Sequence, residues 1–235
     1  MMKDFNQAYG AEGAYHHTAT GFRAWFLDDN YRSISARIGT AKRILDLGCG
    51  EGCLSPYAPD AKLVGVDYSK AALSLNAEIF PGRYELLLQG DLRDIGRMGL
   101  EEASFDAAGC SLTLMYLADD DLADCLRAVY RLLAPGGRFV VTYPTVGTLR
   151  RPNPEAAELE PSELARRLEA AGFAVDEMTP ICPMVDKAVV DAARDPPCAA
   201  DAKSTYEKAK ENMTLDRSYH FVVLATKGAG APDRE

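Results

Sequence analysis

The sequence has few of the residues that metal sites and disulfide frameworks use. Its six cysteines form no C-x-x-C pair and lack the spacing of a zinc site, and it has only three histidines. Scattered thiols of this kind predict a reduced, cytoplasmic protein without a bound metal. Long apolar runs are also missing, since the longest is strand-sized, and residues 1–7 lack the apolar region of a secretion signal. We therefore expect neither a membrane partner nor export.

Positive charge is scarce as well. The chain has 26 lysines and arginines against 35 acids, for a net charge of −9. Proteins that bind nucleic acids usually carry a basic face, so this balance disfavours a nucleic-acid partner and favours a small molecule. With 235 residues, of which 47% are hydrophobic, the chain can form one domain with elaborations.

Segments typical of strands and helices alternate from residue 42 onward. The predicted strands are residues 43–47, 63–67, 84–88, 105–110, 138–143, 173–178 and 219–226. Helical periodicity covers residues 69–79, 120–133 and 161–171, with Ser69 and Asp119 as predicted N-caps. The helix after the first strand must be short, because Pro56 and Pro59 interrupt it. This alternation predicts a parallel sheet with crossover helices, built from residues 41–179 and 218–227.

Three segments lie outside the predicted sheet. Residues 1–40 are rich in aromatic side chains and glycine, which predicts a lid of short helices. Residues 180–217 predict a helical insertion between the last two strands, with helices at about 185–193 and 201–212. The insertion either caps a substrate or forms a dimer contact, so a monomer and a homodimer both stay open. Residues 228–235 predict a disordered tail.

A glycine-rich turn follows the first predicted strand. Asp46 precedes three glycines in the pattern G-x-G-x-G, which predicts a sharp turn and then a helix N-terminus that offers N–H groups to a ligand. A dinucleotide-binding fingerprint has its third glycine one residue later, where Cys53 stands. Asp46 would repel a pyrophosphate and attract an ammonium group. The loop therefore favours a cationic ligand over a nicotinamide dinucleotide.

Two more acids follow the next two predicted strands. Asp67 ends the second strand, where a carboxylate can accept both hydroxyls of a ribose. Asp91 follows the third strand, where it can accept from the exocyclic amine of adenine. The carboxyl ends of parallel strands meet at one edge of a sheet, so these acids and Asp46 line one crevice. Together they predict a ligand that resembles adenosine.

Five stretches resemble the class I S-adenosylmethionine-dependent methyltransferases. They are residues 44–52, 64–69, 90–92, 104–117 and 132–143, and residues 171–175 and 219–227 are similar to the last two strands of the family. The resemblance implies an α/β, doubly wound, seven-stranded and mostly parallel sheet of order 3-2-1-4-5-7-6, with an antiparallel last strand. It implies S-adenosyl-L-methionine as the cofactor. It also implies in-line transfer of a methyl group to O, N, S or C of a small metabolite.

The resemblance also implies which residues bind the cofactor. They are Asp46, Gly48, Cys49, Gly50, Asp67, Tyr68, Asp91, Leu92, Cys110 and Met115. The glycine loop would hold the amino-acid end, and the residues after the second and third strands would hold the ribose and the adenine. Cys110 would approach through its backbone. Met115 stands where many small-molecule members have a histidine, so we expect an apolar wall there.

The candidate catalytic residues are two pairs. A sulfonium is a good leaving group, so a general base is needed only for an acceptor that is protonated at working pH. His16 and His17 in the predicted lid could serve, and Tyr116 and Tyr143 could orient an acceptor. Each of the four also has a plain structural interpretation. His220, at the start of the last strand, is expected at the opposite edge of the sheet in a structural role.

Two alternatives remain for the function. One is a member of the same fold that binds the cofactor without methylating and assists a pericyclic or dehydration reaction. The other is a nicotinamide-dependent oxidoreductase, which Asp46 and Cys53 disfavour.

Overall fold

A computed structural model of the protein describes residues 19–146, 158–193 and 200–229. Seven strands form one sheet in the order β3-β2-β1-β4-β5-β7-β6. The strands are β1 (Arg43–Leu47), β2 (Lys62–Asp67), β3 (Tyr84–Gln89), β4 (Phe105–Ser111), β5 (Leu133–Pro144), β6 (Phe173–Pro183) and β7 (Ser218–Lys227). The first five strands pair in parallel, and β7 is antiparallel to both β5 and β6. The strand order and the antiparallel last strand that the resemblance implied are confirmed.

Six α-helices accompany the sheet within the described residues. They are α1 (Gly21–Ile38), α2 (Lys70–Ile79), α3 (Asp119–Leu132), α4 (Pro161–Ala170), α5 (Lys187–Ala192) and α6 (Ala200–Ala209). None of these described helices is long and apolar enough to cross a membrane. Residues 1–18 of the predicted lid and residues 230–235 of the predicted tail lie outside the described residues.

Both faces of the sheet are apolar, and each is covered by helices. Ile44 of β1 faces one core, which Ile34 and Ile38 of α1 complete. Leu45 faces the other core, with α3 and α4 packed over it. Successive side chains of a strand point to opposite faces, so a strand that is covered on both sides has apolar residues throughout. This explains why the adjacent residues Ile44 and Leu45 of β1 are both apolar and do not alternate with polar residues.

The predicted helix starts are right at α2 and wrong at α3. Ser69 caps α2, since its side-chain oxygen accepts from the Ala72 amide at 3.2 Å. Asp119 is already the first residue of α3, and the N-cap is Ala118. The Asp119 carboxylate instead accepts from Arg167 Nη2 at 2.6 Å. The misassignment arose because acids favour both the cap and the first helical turn.

β5 begins five residues before its predicted start. Phe105 pairs with Leu133 and Ala107 pairs with Arg138, so residues 134–137 are an extra segment on one side of the ladder. Gly136 there has φ of +76°, a conformation that glycine adopts readily. The run Pro135-Gly136-Gly137, whose residue types are typical of a turn, is thus an irregularity within β5. β6 also exceeds its predicted end, running to Pro183.

Candidate functional site

The glycine loop lies at the carboxyl end of β1, where the strand order changes direction between β1 and β4. Gly48, Gly50 and Gly52 all have positive φ, at +68°, +50° and +85°. A Cβ added to Gly48 would lie 2.2 Å from Thr113 Oγ1, and one added to Gly52 would lie 2.7 Å from Asn76 Oδ1. The spacing of these glycines thus serves both the turn and the close approach of a neighbouring loop and of helix α2. Crevices at such switch points are where open α/β sheets bind ligands.

The amides of the glycine loop are already hydrogen-bonded within the protein. Those of Gly48 and Cys49 both donate to the Val66 carbonyl, at 2.8 and 3.1 Å. The Gly50 amide donates to Asp67 Oδ2 at 2.8 Å. A pyrophosphate bound here would find these three donors in use, whereas phosphate-binding loops point their amides at the ligand.

The expected helix N-terminus after the loop is wrong. Residues 51–54 form turns, and a 3₁₀ helix at Ser55–Tyr57 follows them. Pro56 lies inside that short helix and Pro59 follows it, and neither can donate the backbone hydrogen bond of a longer helix. The short segment after β1 therefore supplies no helix dipole to the crevice.

Asp67 ties the glycine loop to the end of β2. Oδ2 accepts from Gly50, and Oδ1 accepts from the Ser69 amide at 2.8 Å. Burial raises the pKa of the Asp67 carboxyl, and the two amide donors oppose that effect. Each carboxylate oxygen can accept a second hydrogen bond. The carboxylate thus holds the loop and still has acceptor capacity for the hydroxyls of a ligand.

Asp46 is buried beneath the same loop. Its Oδ2 accepts from the Tyr84 hydroxyl at 2.6 Å. Burial is the main cause that raises the pKa of Asp46 to about 7, with the charge of Asp67 adding to it and the Tyr84 bond opposing it. A carboxyl in this state is half-ionised near neutral pH and would gain from a cation beside it.

Asp91, Leu92 and Tyr68 surround the carboxyl end of β3. Asp91 caps a 3₁₀ helix at Leu92–Arg97, and its carboxylate accepts from the amide and the guanidinium of Arg93. The Arg93 side chain lowers the pKa of Asp91, so this carboxylate is ionised. Leu92 is buried, and Tyr68 exposes 45% of its surface at the edge of the crevice.

The loop after β4 closes the other side of the crevice. Leu112 adopts φ of +53°, which is uncommon for a residue with a side chain. Its amide donates to the Thr142 carbonyl at 3.1 Å, and Thr113 Oγ1 donates to the Ser111 carbonyl at 3.1 Å. These bonds hold Thr113 against Gly48. Strained backbone at such a place is typical of functional loops.

Cys110 and Met115 belong to the same segment. Cys110 is fully buried, and burial raises the pKa of its thiol to about 12, so it can approach a ligand through its backbone but offers no thiolate. Met115 is 8% exposed in the apolar core. Their roles towards a cofactor stay predictions.

The catalytic candidates fall in different places. Tyr116 is half-buried at the end of the 3₁₀ helix Leu114–Tyr116, on the crevice loop. Tyr143 is fully buried in the core, with its ring 5.9 Å from that of Phe221, and burial raises the pKa of its hydroxyl. Its burial disfavours contact with an acceptor. His16 and His17 lie outside the described residues.

His220 lies at the carboxyl edge of β5, which contradicts its expected place at the opposite edge. It pairs with Pro144 because β7 is antiparallel and therefore begins where β5 ends. The ring is buried against Phe26, and Nδ1 is 3.1 Å from Asn30 Oδ1. Burial lowers the pKa of His220 to about 3, so the imidazole is neutral. The expected structural role of His220 stays a prediction.

Two residues that shape the site were missed by the sequence interpretation. Asn76 is fully buried on α2, and its Nδ2 donates to the Gly50 carbonyl at 3.4 Å. Tyr84 binds Asp46 from two strands away. The available signals were a buried amide on a helix face and a tyrosine at the start of a strand that lies two strands from the acid, but both require the strand order and register to be known.

The insertion packs on α1. Asp29 of α1 accepts from the Tyr206 hydroxyl and from Lys210 Nζ, both at 2.6 Å. A Cβ on Gly21, at the start of α1, would collide with the Ala193 carbonyl just after α5. Thus the insertion packs against α1, which itself lies over β4, β5, β6 and β7. In the described part of the chain no group of three His, Cys, Asp or Glu side chains is arranged to hold a metal ion.

Comparison with known proteins agrees with this geometry. Residues 45–141 match a family model described as a methyltransferase domain. A ubiquinone biosynthesis O-methyltransferase of Aeromonas salmonicida is 31% identical over an alignment of 169 residues that covers 59% of this chain and 65% of that protein. The chain spans about half to two thirds of the length of the first curated relatives it matches.

Two solved structures share the fold. An S-adenosylmethionine-dependent methyltransferase from Mesorhizobium loti superposes with a TM-score of 0.62 at 21% identity, covering 86% of this chain and all of that one. The [4+2]-cyclase SpnF superposes with a TM-score of 0.61 at 21% identity, covering 85% of this chain and 81% of that one. Likeness at this identity shows the fold alone, because one fold hosts many reactions.

Proposed function

Residues 45–141 form a methyltransferase domain of the S-adenosylmethionine-dependent class I type, and from this premise we propose that the protein methylates a small molecule. The cofactor is S-adenosyl-L-methionine, and the acceptor atom is an O, N, S or C of a metabolite. The proposal covers the activity of the whole chain, its substrate and its partners.

One observation carries the proposal. The glycine loop has the amides of Gly48, Cys49 and Gly50 bonded internally, and two acids, the buried Asp46 and the half-buried Asp67, lie beneath it. This donor set suits a ligand with an ammonium group and ribose hydroxyls. It does not suit a pyrophosphate, which needs free N–H donors and no nearby carboxylate. The nicotinamide alternative is disfavoured for the same reason.

We propose that different residues of the crevice bind different parts of the cofactor. Asp46 and the backbone of Gly48 and Gly50 would hold the amino-acid end of the cofactor, Asp67 the ribose, and Asp91 with Leu92 the adenine. Bound S-adenosylmethionine supplies a methyl group on a sulfonium, which an in-line nucleophile can accept. The chain then has to hold the acceptor close to that methyl group and keep water away.

Two exposed apolar side chains at this edge of the sheet favour an apolar small molecule as the acceptor. Val146 follows β5 and Met184 follows β6, and both expose large apolar side chains, 41% and 38%. They lie at the same edge because β6 runs parallel to β5 on the far side of β7. We propose that they contact the acceptor and that Tyr116 orients it. The predicted roles of His16 and His17 remain predictions.

Isothermal titration calorimetry tests the cofactor. We expect the protein to bind S-adenosylmethionine and S-adenosylhomocysteine, and Asp67→Ala to weaken both more than tenfold, because it removes the ribose acceptor and the anchor of the loop. NADH serves as the negative control. Failure of the wild type to bind either sulfur compound, or tight binding of NADH, would overturn the proposal. Binding without transfer of labelled methyl to any acceptor would instead favour the non-methylating alternative.

A further inference from the structure

Asp46 is held from across the sheet by a tyrosine that no sequence motif marks. Tyr84 begins β3, and its hydroxyl donates to Asp46 Oδ2 of β1 at 2.6 Å. The intervening strand has Gly65 in register with Asp46. A Cβ on Gly65 would lie 2.9 Å from Tyr84 Cε1, so the missing side chain gives the tyrosine its path over β2.

The bond leaves part of the carboxylate for a ligand. It engages Oδ2, and the described contacts give Oδ1 no hydrogen-bond partner. Burial raises the pKa of the Tyr84 hydroxyl well above its ordinary value, so the tyrosine keeps its proton and acts as a donor. Asp46 is thereby fixed through one oxygen, and the other can accept from a bound group.

The groups that face Asp46 include other acids and thiols. Asp67 of β2 adds a like charge, and the thiols of Cys49, Cys53 and Cys110 stay neutral because burial raises the pKa of each. Among the described residues, no lysine or arginine contributes to the pKa of Asp46. A buried carboxylate without a cation is costly, and a ligand that brings a cation would stabilise it.

We propose that Tyr84 is a positioning residue for the amino-acid end of the cofactor, holding the Asp46 carboxylate so that it receives the ligand's ammonium group. This inference rests on the proposed cofactor. Tyr84 itself touches no ligand atom and acts through Asp46. Its removal selectively weakens ligands that carry the ammonium group.

Calorimetry with two ligands tests the role. S-Adenosylhomocysteine carries the amino-acid tail, and 5′-methylthioadenosine has the same adenosine and thioether without it. We expect Tyr84→Phe to weaken S-adenosylhomocysteine about tenfold at pH 7, the order of one hydrogen bond to a charged group, and to change methylthioadenosine less than twofold. Tyr57→Phe is the matched control, since Tyr57 likewise donates to a carboxylate, that of Asp28 at 2.7 Å, but has no bond to Asp46.

The pH dependence separates positioning from a structural role. Without its donor, Asp46 holds its proton to higher pH, so the deficit of Tyr84→Phe for S-adenosylhomocysteine is largest near pH 6.5 and shrinks towards pH 8.5. Comparing the variant with the wild type at each pH cancels the ionisation of the ligand. An equal, pH-independent loss for both ligands would overturn the inference and leave the proposed function intact.

Two further outcomes are decisive. If the wild type binds neither ligand, the proposed function fails and this inference fails with it. If Tyr84→Phe does not fold, 3-fluorotyrosine at position 84 of the otherwise unchanged protein gives a ¹⁹F NMR signal instead. We expect that signal to move on addition of S-adenosylhomocysteine and to stay in place with methylthioadenosine. The same shift with both ligands would contradict the proposed role.

Discussion

Gly48 shows how one residue meets two separate demands of the site. Its φ of +68° lies in the left-handed region, which costs a residue with a side chain about 1–2 kcal/mol. Its Cα also faces Thr113, whose Oγ1, Cγ2 and Cβ would all lie within 2.7 Å of an added Cβ. The first demand comes from the local turn, and the second comes from a loop more than sixty residues later in the chain. Sequence spacing alone reveals only the first.

A pair of glycine substitutions separates these demands. Gly48→Ala is expected to lower the free energy of unfolding by about 2–4 kcal/mol, combining left-handed strain with overpacking against Thr113. Gly82→Ala is the matched control, because Gly82 has φ of +74° and nothing within 4 Å of an added Cβ. It should lose only the strain, about 1–2 kcal/mol. Urea unfolding measures both, and equal losses would contradict the packing argument.

At the scale of elements, the local residue pattern predicted those strands and helices whose ends are set by residues nearby in the sequence. The strands were predictable because each is a short apolar run between turn residues, and α2 because Ser69 supplies a real cap. The start of β5 was not predictable, because residues 134–137 resemble an ordinary turn. Only the pairing of their neighbours with β4 shows that they are an irregularity within a strand. Asp119 was misassigned because its partner, Arg167, belongs to another helix.

The candidate site, too, could be predicted only in part. The acids at the ends of β1, β2 and after β3 could be predicted, because a parallel sheet brings its carboxyl ends together whatever the loops do. The partners of those acids could not. Tyr84 reaches Asp46 only because the register places Gly65 between them. The order of the strands came from the resemblance, since periodicity cannot distinguish one neighbour from another.

The docking of the insertion on α1 gives a prediction at this scale. Asp29→Ala removes the carboxylate that accepts from both Tyr206 and Lys210, which deprives the buried Tyr206 hydroxyl of its acceptor and leaves Lys210 paired with Glu207 alone. We expect a local loss of about 1–3 kcal/mol. Amide hydrogen exchange over residues 200–212 should then become roughly 5- to 140-fold faster, since each 1.4 kcal/mol is a factor of ten.

The exposed pair of Asp94 and Arg97 provides the control for that experiment. Asp94→Ala removes a contact of 3.4 Å between largely exposed side chains, and such pairs contribute little. It should leave exchange in residues 200–212 unchanged. Exchange that accelerates equally in β1 and β4 after Asp29→Ala would show that the insertion unfolds with the whole molecule and not as a separate layer.

At the scale of the whole molecule, two buried groups make folding depend on pH in opposite directions. His220 has a native pKa of about 3 against an ordinary 6.5, so the unfolded chain binds the extra proton and stability falls as pH drops through this range. Asp46 has a native pKa of about 7 against an ordinary 3.8, so the native state binds the extra proton and stability falls as pH rises. Between about pH 4 and 6.5 the two effects oppose each other.

Single substitutions measure the pH dependence that each of these two groups gives to the stability of the protein without ligand. His220→Asn keeps a donor for Asn30 but cannot take up a proton, so the stability of the wild type relative to this variant should fall as pH drops from 6.5 to 4.5. Over the same fall in pH, the stability of the wild type relative to Asp46→Asn should rise. Each slope is at most about 1.4 kcal/mol per pH unit. Urea unfolding at pH 4.5, 5.5 and 6.5 measures both differences. A slope near zero would show that the group ionises as freely in the native protein as in the unfolded chain, and two slopes of the same sign would show that one of the two pKa shifts has the opposite direction.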